Sequence, residues 1–200
     1  PQGTLFTDSS GNSWLSARDV TWYSNVTTCK VPIIQHEKYT ASALNNMLIP
    51  TGDRVIVHLG TLPNGKYYEQ GSMSLQIGGE TWVLVDTFAK SKPTDKHFMV
   101  SVDEALNPYI MFGDGTFGKK PAAGAKITNV VFYLTNGTQG NVKSNTITSV
   151  PSIISSSITD ATVSNAYDAG GGSNYENFIM LKEHIPLSVK TLGVAITKED

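Results

Sequence analysis

The sequence predicts a mainly β fold: antiparallel, β-sandwich-like modules with one short C-terminal helix and a final strand. Three observations predict it. Charged residues are only 16% of the 200, while Ser and Thr together make up roughly a fifth. That balance favours strands and turns over amphipathic helices. Apolar residues alternate strictly in the middle of the chain, with Met73, Leu75 and Ile77 on one face and Ser72, Ser74 and Gln76 on the other. Turn signals recur between the apolar runs, at Gly78-Gly79, Gly113-Asp114-Gly115 and Asn136-Gly137.

Taken in order, Gly3-Thr4-Leu5-Phe6 reads as extended and is closed by the turn cluster Asp8-Ser9-Ser10-Gly11-Asn12. Trp14-Leu15 opens a second run, Val20, Trp22 and Tyr23 a third, and Val31-Pro32-Ile33-Ile34 a fourth. Pro32 suits a sheet edge or a strand start because it has no N–H to donate. Residues 41–48 fit one helical turn or two. Val55 to Leu59 is short and β-branched, hence a strand, and Pro63-Asn64-Gly65-Lys66 is a turn. Gly78-Gly79 is a two-residue hairpin loop, since Gly accepts the positive φ such loops need. Trp82 to Val85, then Phe98, Val100 and Val102, then Tyr109 to Phe112 continue the strands. Gly113-Asp114-Gly115 reads as a hairpin turn.

The nine residues Ile127 to Thr135 form the strongest strand, ended by Asn136-Gly137. Residues 142–164 are strand-compatible but broken by Pro151. Ser173 and Glu176 have capping-box spacing, so a helix is expected to start there, with Phe178 and Ile179 on its apolar face and Pro186 as its stop. Leu192 to Ile196 is the final strand. Residues 1–168 therefore read as one β-rich module with a sub-boundary near 60–70. Residues 169–200 read as a Gly170-Gly171-Gly172 joint, a helix and a strand opening the next domain of a larger protein.

Composition excludes several function classes. A net charge of -2 leaves no basic footprint for nucleic acid. No apolar run reaches the roughly 18 residues of a membrane span. Cys29 stands alone, so no internal disulfide forms. His36, His58, His97 and His184 have no metal-ligand spacing, and no G-x-S-x-G elbow marks a nucleophile. The stretch Gly170 to Gly172 lacks the Lys-Ser/Thr pair of a phosphate loop, and Glu176 would repel an anion. Gly113 to Gly118 lacks the acidic ligands of a calcium loop. The expectation is a non-enzyme with no cofactor and no metal. Trp14, Trp22 and Trp82 leave one alternative, a carbohydrate-binding or adhesion module using them as a groove.

Several segments, in order, resemble one family. Pro1-Gln2-Gly3-Thr4 with Phe6 is similar to its Pro-x-Gly-Thr-x-Phe start, and Leu75 to Trp82 to its strand, Gly turn and Trp. Ile110-Met111-Phe112-Gly113-Asp114-Gly115-Thr116-Phe117-Gly118, followed by Pro121 and Gly124, resembles its Phe-Gly-Asp/Glu-Gly turn. Tyr133, Gly137 and Gly140-Asn141 resemble its Tyr…Gly…Gly-Asn segment, and Gly171-Gly172 with Glu176 its Gly-Gly-x-x-x-Glu helix. Val194-Ala195-Ile196-Thr197 with Asp200 resembles its ending. The family is the baseplate J-like and wedge proteins of contractile-tailed bacteriophages. The resemblance implies a structural virion protein of the tail baseplate, assembled in the host bacterial cytoplasm. Its implied partners are other copies of itself and other wedge or hub proteins.

Overall fold

The computed structural model describes residues 1–174. Across them the chain is mainly β. The expected helix from Ser173 and Glu176 and the final strand lie outside the described residues, although Ser173 itself is irregular and exposed.

A small antiparallel sheet opens the chain, with strands β1 (Leu5–Thr7), β2 (Ser13–Ser16) and β3 (Ile33–Ile34) in that order. Asp8 holds the β1–β2 turn by accepting the backbone N–H groups of Ser10 and Asn12, both at 2.9 Å. This is how Asp mimics a backbone turn. Pro32 immediately precedes β3, which forms the sheet edge, and its carbonyl accepts the Ala17 N–H at 2.8 Å. The third expected run, Val20 to Tyr23, is irregular.

The large sheet contains β4 (Glu37–Thr40), β5 (Ile56–His58), β6 (Tyr67–Tyr68), β7 (Ser74–Ile77), β8 (Glu80–Leu84), β9 (His97–Val102), β10 (Pro108–Phe112) and β11 (Ile127–Thr135). Its order is β4-β11-β7-β8-β9-β10-β5, with β6 also beside β11. β11 covers the residues expected of it, and Met73, Leu75 and Ile77 are buried as their alternation requires. Between Thr128 and Val131 the register of β11 slips against β7, and Asn129 sits there at φ 54°. Asn tolerates this left-handed backbone better than most residues, so it suits a bulge.

One pairing departs from an all-antiparallel sheet. β8 and β9 run parallel, Val83 opposite His97 and Leu84 opposite Phe98, joined by the long connection 85–96. A parallel pair cannot be closed by a tight turn, so this connection must cross over.

The apolar side chains divide into two clusters. The large one gathers Phe98, Phe132, Leu75, Ile110, Ile127, Leu134, Val57 and Trp82 from the large sheet, closed by Ala41, Leu44 and Ile49. The short 3-10 turn Ser42–Leu44 supplies Leu44 and is preceded directly by Ala41, which resolves the helical ambiguity of 41–48. The small cluster holds Phe6, Trp14 and Ile147, flanked by Val31, Ile33, Val142, Ile154, Val163 and Ala169. The clusters are nested in the sequence: the small one takes residues from both sides of the large one. Tyr68 belongs to the large cluster, and Leu59 and Leu62 pack against it from partly buried positions. Ala169 packs on the small cluster, so the described start of the 169–200 segment is part of this fold.

Residues 142–164 are not strands. They form an irregular wall packed over the small sheet, joined to it at the isolated bridge Asp8–Ile147, and one helical turn, α1 (Ser152–Ser155). Pro151 starts that turn. The following serines bond locally, Ser155 Oγ to the Ser152 carbonyl at 3.2 Å and Ser157 Oγ to that of Ile153 at 3.1 Å. Hydroxyls that satisfy nearby carbonyls compete with a strand ladder, which overrides the β-branched signal here.

Candidate functional site

The strongest convergence of polar side chains lies between the two clusters, around Asn136 at the end of β11. Asn136 is 5% exposed. Its Oδ1 accepts Lys66 Nζ at 2.7 Å, its Nδ2 donates to Asn12 Oδ1, and its N–H donates to Gln35 Oε1 at 2.8 Å. Asn12 Nδ2 then donates to Asp8 Oδ2 at 2.8 Å. Trp14 Nε1 donates to the same oxygen at 3.2 Å. Lys66 also pairs with Glu37 Oε2 at 2.8 Å.

These bonds run in one direction. From the Lys66 ammonium to the Asp8 carboxylate, each amide accepts on its oxygen and donates from its nitrogen. Such an aligned chain polarises each member, so its ends are the right charges for it. Burial pushes the Asp8 carboxyl up. Hydrogen bonds from Asn12, Trp14 and Ser10 outweigh that and hold it below the ordinary carboxylate range.

The seam also fixes where the chain crosses between the clusters. It leaves the small sheet at Gln35 and returns at Asn136, and the bond between these two residues spans 101 positions. Gly140 lies so close that a Cβ there would come within 2.9 Å of Gln35 Oε1.

Two of the sequence-predicted turns meet at the same place. Gly137 sits at φ 55°, and a Cβ on Gly172 would overlap the Gly137 carbonyl. Asn141 clamps Gly172 from both sides, its Oδ1 accepting the Gly172 N–H at 2.8 Å and its Nδ2 donating to the carbonyl at 2.9 Å. Asn174 Oδ1 accepts the Thr138 N–H at 2.9 Å. The Gly-rich stretch is thus docked at Gly172, while Gly170 and Gly171 face open space.

The other predicted turns lie elsewhere. Gly78 and Gly79, at φ 59° and 82°, form the two-residue loop joining β7 to β8. Gly113, Asp114 and Gly115 do not join paired strands, since β10 and β11 are not neighbours. They close a loop on itself instead. The Gly115 N–H donates to the Gly118 carbonyl at 3.0 Å. A Cβ on Gly113 would overlap the backbone of Gly118. Close approach, not positive φ, therefore demands glycine at 113; at 115 it is φ 95°. The Asp114 carboxyl is held low by the backbone N–H groups of Phe117 and Thr116.

His184 lies outside the described residues, and among the described ones no group of His, Cys, Asp and Glu could hold a metal. One contact escaped the sequence reading: Ser91 Oγ lies 2.8 Å from His97 Nδ1. Ser91 is buried, and the pair tethers the β8–β9 connection to the start of β9. The three tryptophans share no groove. Trp14 lies in the small cluster and Trp82 in the large one. Only Trp22 is exposed, bonded through Nε1 to the Val26 carbonyl at 2.8 Å. Trp22 lines an apolar cleft of about 150 Å³ with Phe6, Val31, Cys29 and Ile154. Among the described residues no helix is long and apolar enough to cross a membrane.

Compared with family models, with curated proteins and with solved structures, the chain matches none.

Proposed function

We propose that the chain is an assembly module of a contractile-tail baseplate wedge, a structural virion protein that acts by protein–protein contacts and not by catalysis. The observation that carries this reading is the ordered set of segments resembling the baseplate J-like and wedge proteins. The geometry of those segments supports it. Gly113 and Gly172 each stand where backbone meets backbone, and Gly137 lies against the side chains of Tyr67 and Asn174, so close packing of the chain accounts for the motif glycines. The surface supports it too. Leu5, Tyr23, Val26, Ile34, Val83, Phe117 and Tyr167 are all exposed on a chain of only 16% charged residues. Buried apolar area is the main driving force of stable association.

On this reading the partners are further copies of the chain and other wedge or hub proteins, in a virion tail assembled in the host bacterial cytoplasm. Mixing the purified chain with wedge and hub proteins of a contractile tail, followed by size-exclusion chromatography with light scattering, tests it. Co-elution in a defined stoichiometry is expected. A protein that binds none of them overturns the reading.

A further inference from the structure

The two edges of the large sheet differ in how they are protected. At the β4 edge, the Ala41 N–H donates to the Val130 carbonyl, so Lys38 and Thr40 point their backbone groups outward. That strand carries Glu37 and Lys38, the charged residues that blunt an exposed edge. At the β5 edge, the Leu59 N–H donates to the Pro108 carbonyl and the Phe112 N–H to the Val55 carbonyl. By the two-residue alternation of an antiparallel pair, Val57 faces β10 and Ile56 and His58 direct their N–H and C=O groups away from the sheet. Among the described residues nothing pairs with those four groups. Ile56 is 43% exposed, and the strand Ile56–His58 contains no Lys, Glu, Asp or Pro.

An apolar row also crosses the face of the sheet beside this edge, next to His58, Tyr109 and Ser101. Met99 lies opposite Met111, and Met111 opposite Ile56, so three apolar side chains form a row across β9, β10 and β5 on the side away from the large cluster. Val83 lies further along that face and is 54% exposed.

We infer that β5 is a self-association edge whose occupant is β5 of a second copy, paired antiparallel about a two-fold axis at Val57. In that register Ile56 faces His58 of the other copy, and the two such pairs satisfy all the outward-pointing groups with four backbone hydrogen bonds. Val57 faces its own copy as a non-hydrogen-bonded pair, with Cα atoms about 4.5 Å apart. The charges are complementary in the same register. Arg54 stands at one end of β5, where Lys120 lies 4.0 Å from Asp53 and offsets it. Asp103 and Glu104 stand in the β9–β10 turn at the other end. Antiparallel pairing brings each Arg54 end against the other copy's acidic end. A two-fold interface of this kind is closed, so it gives dimers and not fibres. The inference deepens the assembly reading by naming one partner, and it rests on that reading for its biological use.

Sedimentation equilibrium of the full chain over a concentration series tests it, in a Cys29→Ser background. A monomer–dimer equilibrium is expected, weakened about tenfold or more by Ile56→Lys. Lys38→Ala at the guarded edge leaves it unchanged. Thermal melting checks that Ile56→Lys still folds; His58→Lys replaces it if not. Val57→Cys is expected to give a disulfide-linked dimer on mild oxidation, since its Cα spacing suits a disulfide. A chain that stays monomeric at every concentration overturns the inference. So does a dimer that survives both charge variants, or one that yields no crosslink at position 57. None of these results touches co-elution with wedge and hub proteins, which decides the assembly reading separately.

Discussion

Each hydrophobic cluster is built around one buried tryptophan, and the two indoles are treated oppositely. In the small cluster Trp14 donates its Nε1–H to Asp8, at one end of the polar chain that reaches Lys66. In the large cluster Trp82 packs edge-to-face with Phe112, ring centroids 5.3 Å apart, and among the described residues its Nε1–H has no partner. The large cluster has area enough to carry an unsatisfied donor. The small one has three buried apolar residues and depends on directed hydrogen bonds for its shape. One core is held by packing, the other by packing plus a polar seam.

The largest expected effect tests the packing side. Phe132, fully buried against Tyr39 and Tyr68, should cost about 3–5 kcal/mol when changed to Ala, read by urea denaturation. A loss below about 1 kcal/mol would break the claim that this core is packing-dominated. Next, Asp8→Ala strands the Trp14 and Asn12 donors and should cost about 1–3 kcal/mol. Hydrogen exchange should then speed up in β1 and β2 more than in β11. Uniform acceleration would show that the two clusters unfold as one.

The indole comparison is sharpened by a matched pair. Trp14→Phe removes a satisfied donor and leaves Asp8 short of a partner, whereas Trp82→Phe removes an orphan. Trp14→Phe should therefore destabilise by about 1 kcal/mol more than Trp82→Phe. Equal losses would mean that ring volume alone decides both. The smallest effect is that of pH. Because the folded carboxyl of Asp8 is held below its unfolded value, its contribution is fully present above about pH 4 and is lost as pH falls through the folded value. A melting temperature that drops in acid for the native chain, and drops less for Asp8→Asn, is the expected result.

The large core was readable in the sequence because its residues alternate: β7 and β11, and the glycine loop between β7 and β8, follow from period and turn chemistry alone. β4 was not readable. Glu37-Lys38-Tyr39-Thr40 is polar, as an edge strand is, and carries no apolar period. The parallel pairing of β8 with β9 was invisible too, since nothing local distinguishes it from an antiparallel neighbour. The wall at 142–164 misled because β-branched residues and serines favour strands only where no nearer carbonyl competes. The seam was the least legible part. Asn136 and Gly137 announced a turn, as did the segments that hold Asn12 and Lys66, yet nothing local says that these side chains meet, and Gln35 belongs to no pattern. Their meaning comes from a partner 101 positions away in one case and 124 in another.

The nesting of the clusters has a mechanical consequence. Tension applied between the first strand and the glycine stretch that follows Ala169 enters the small cluster from both sides. The large sheet lies on the branch of chain between Gln35 and Asn136, and the bond between those residues short-circuits that branch. Load therefore passes through the small sheet and the seam, and the large sheet feels it only after they give way. A pulling experiment should register the weaker unit rupturing first, with the larger one released intact.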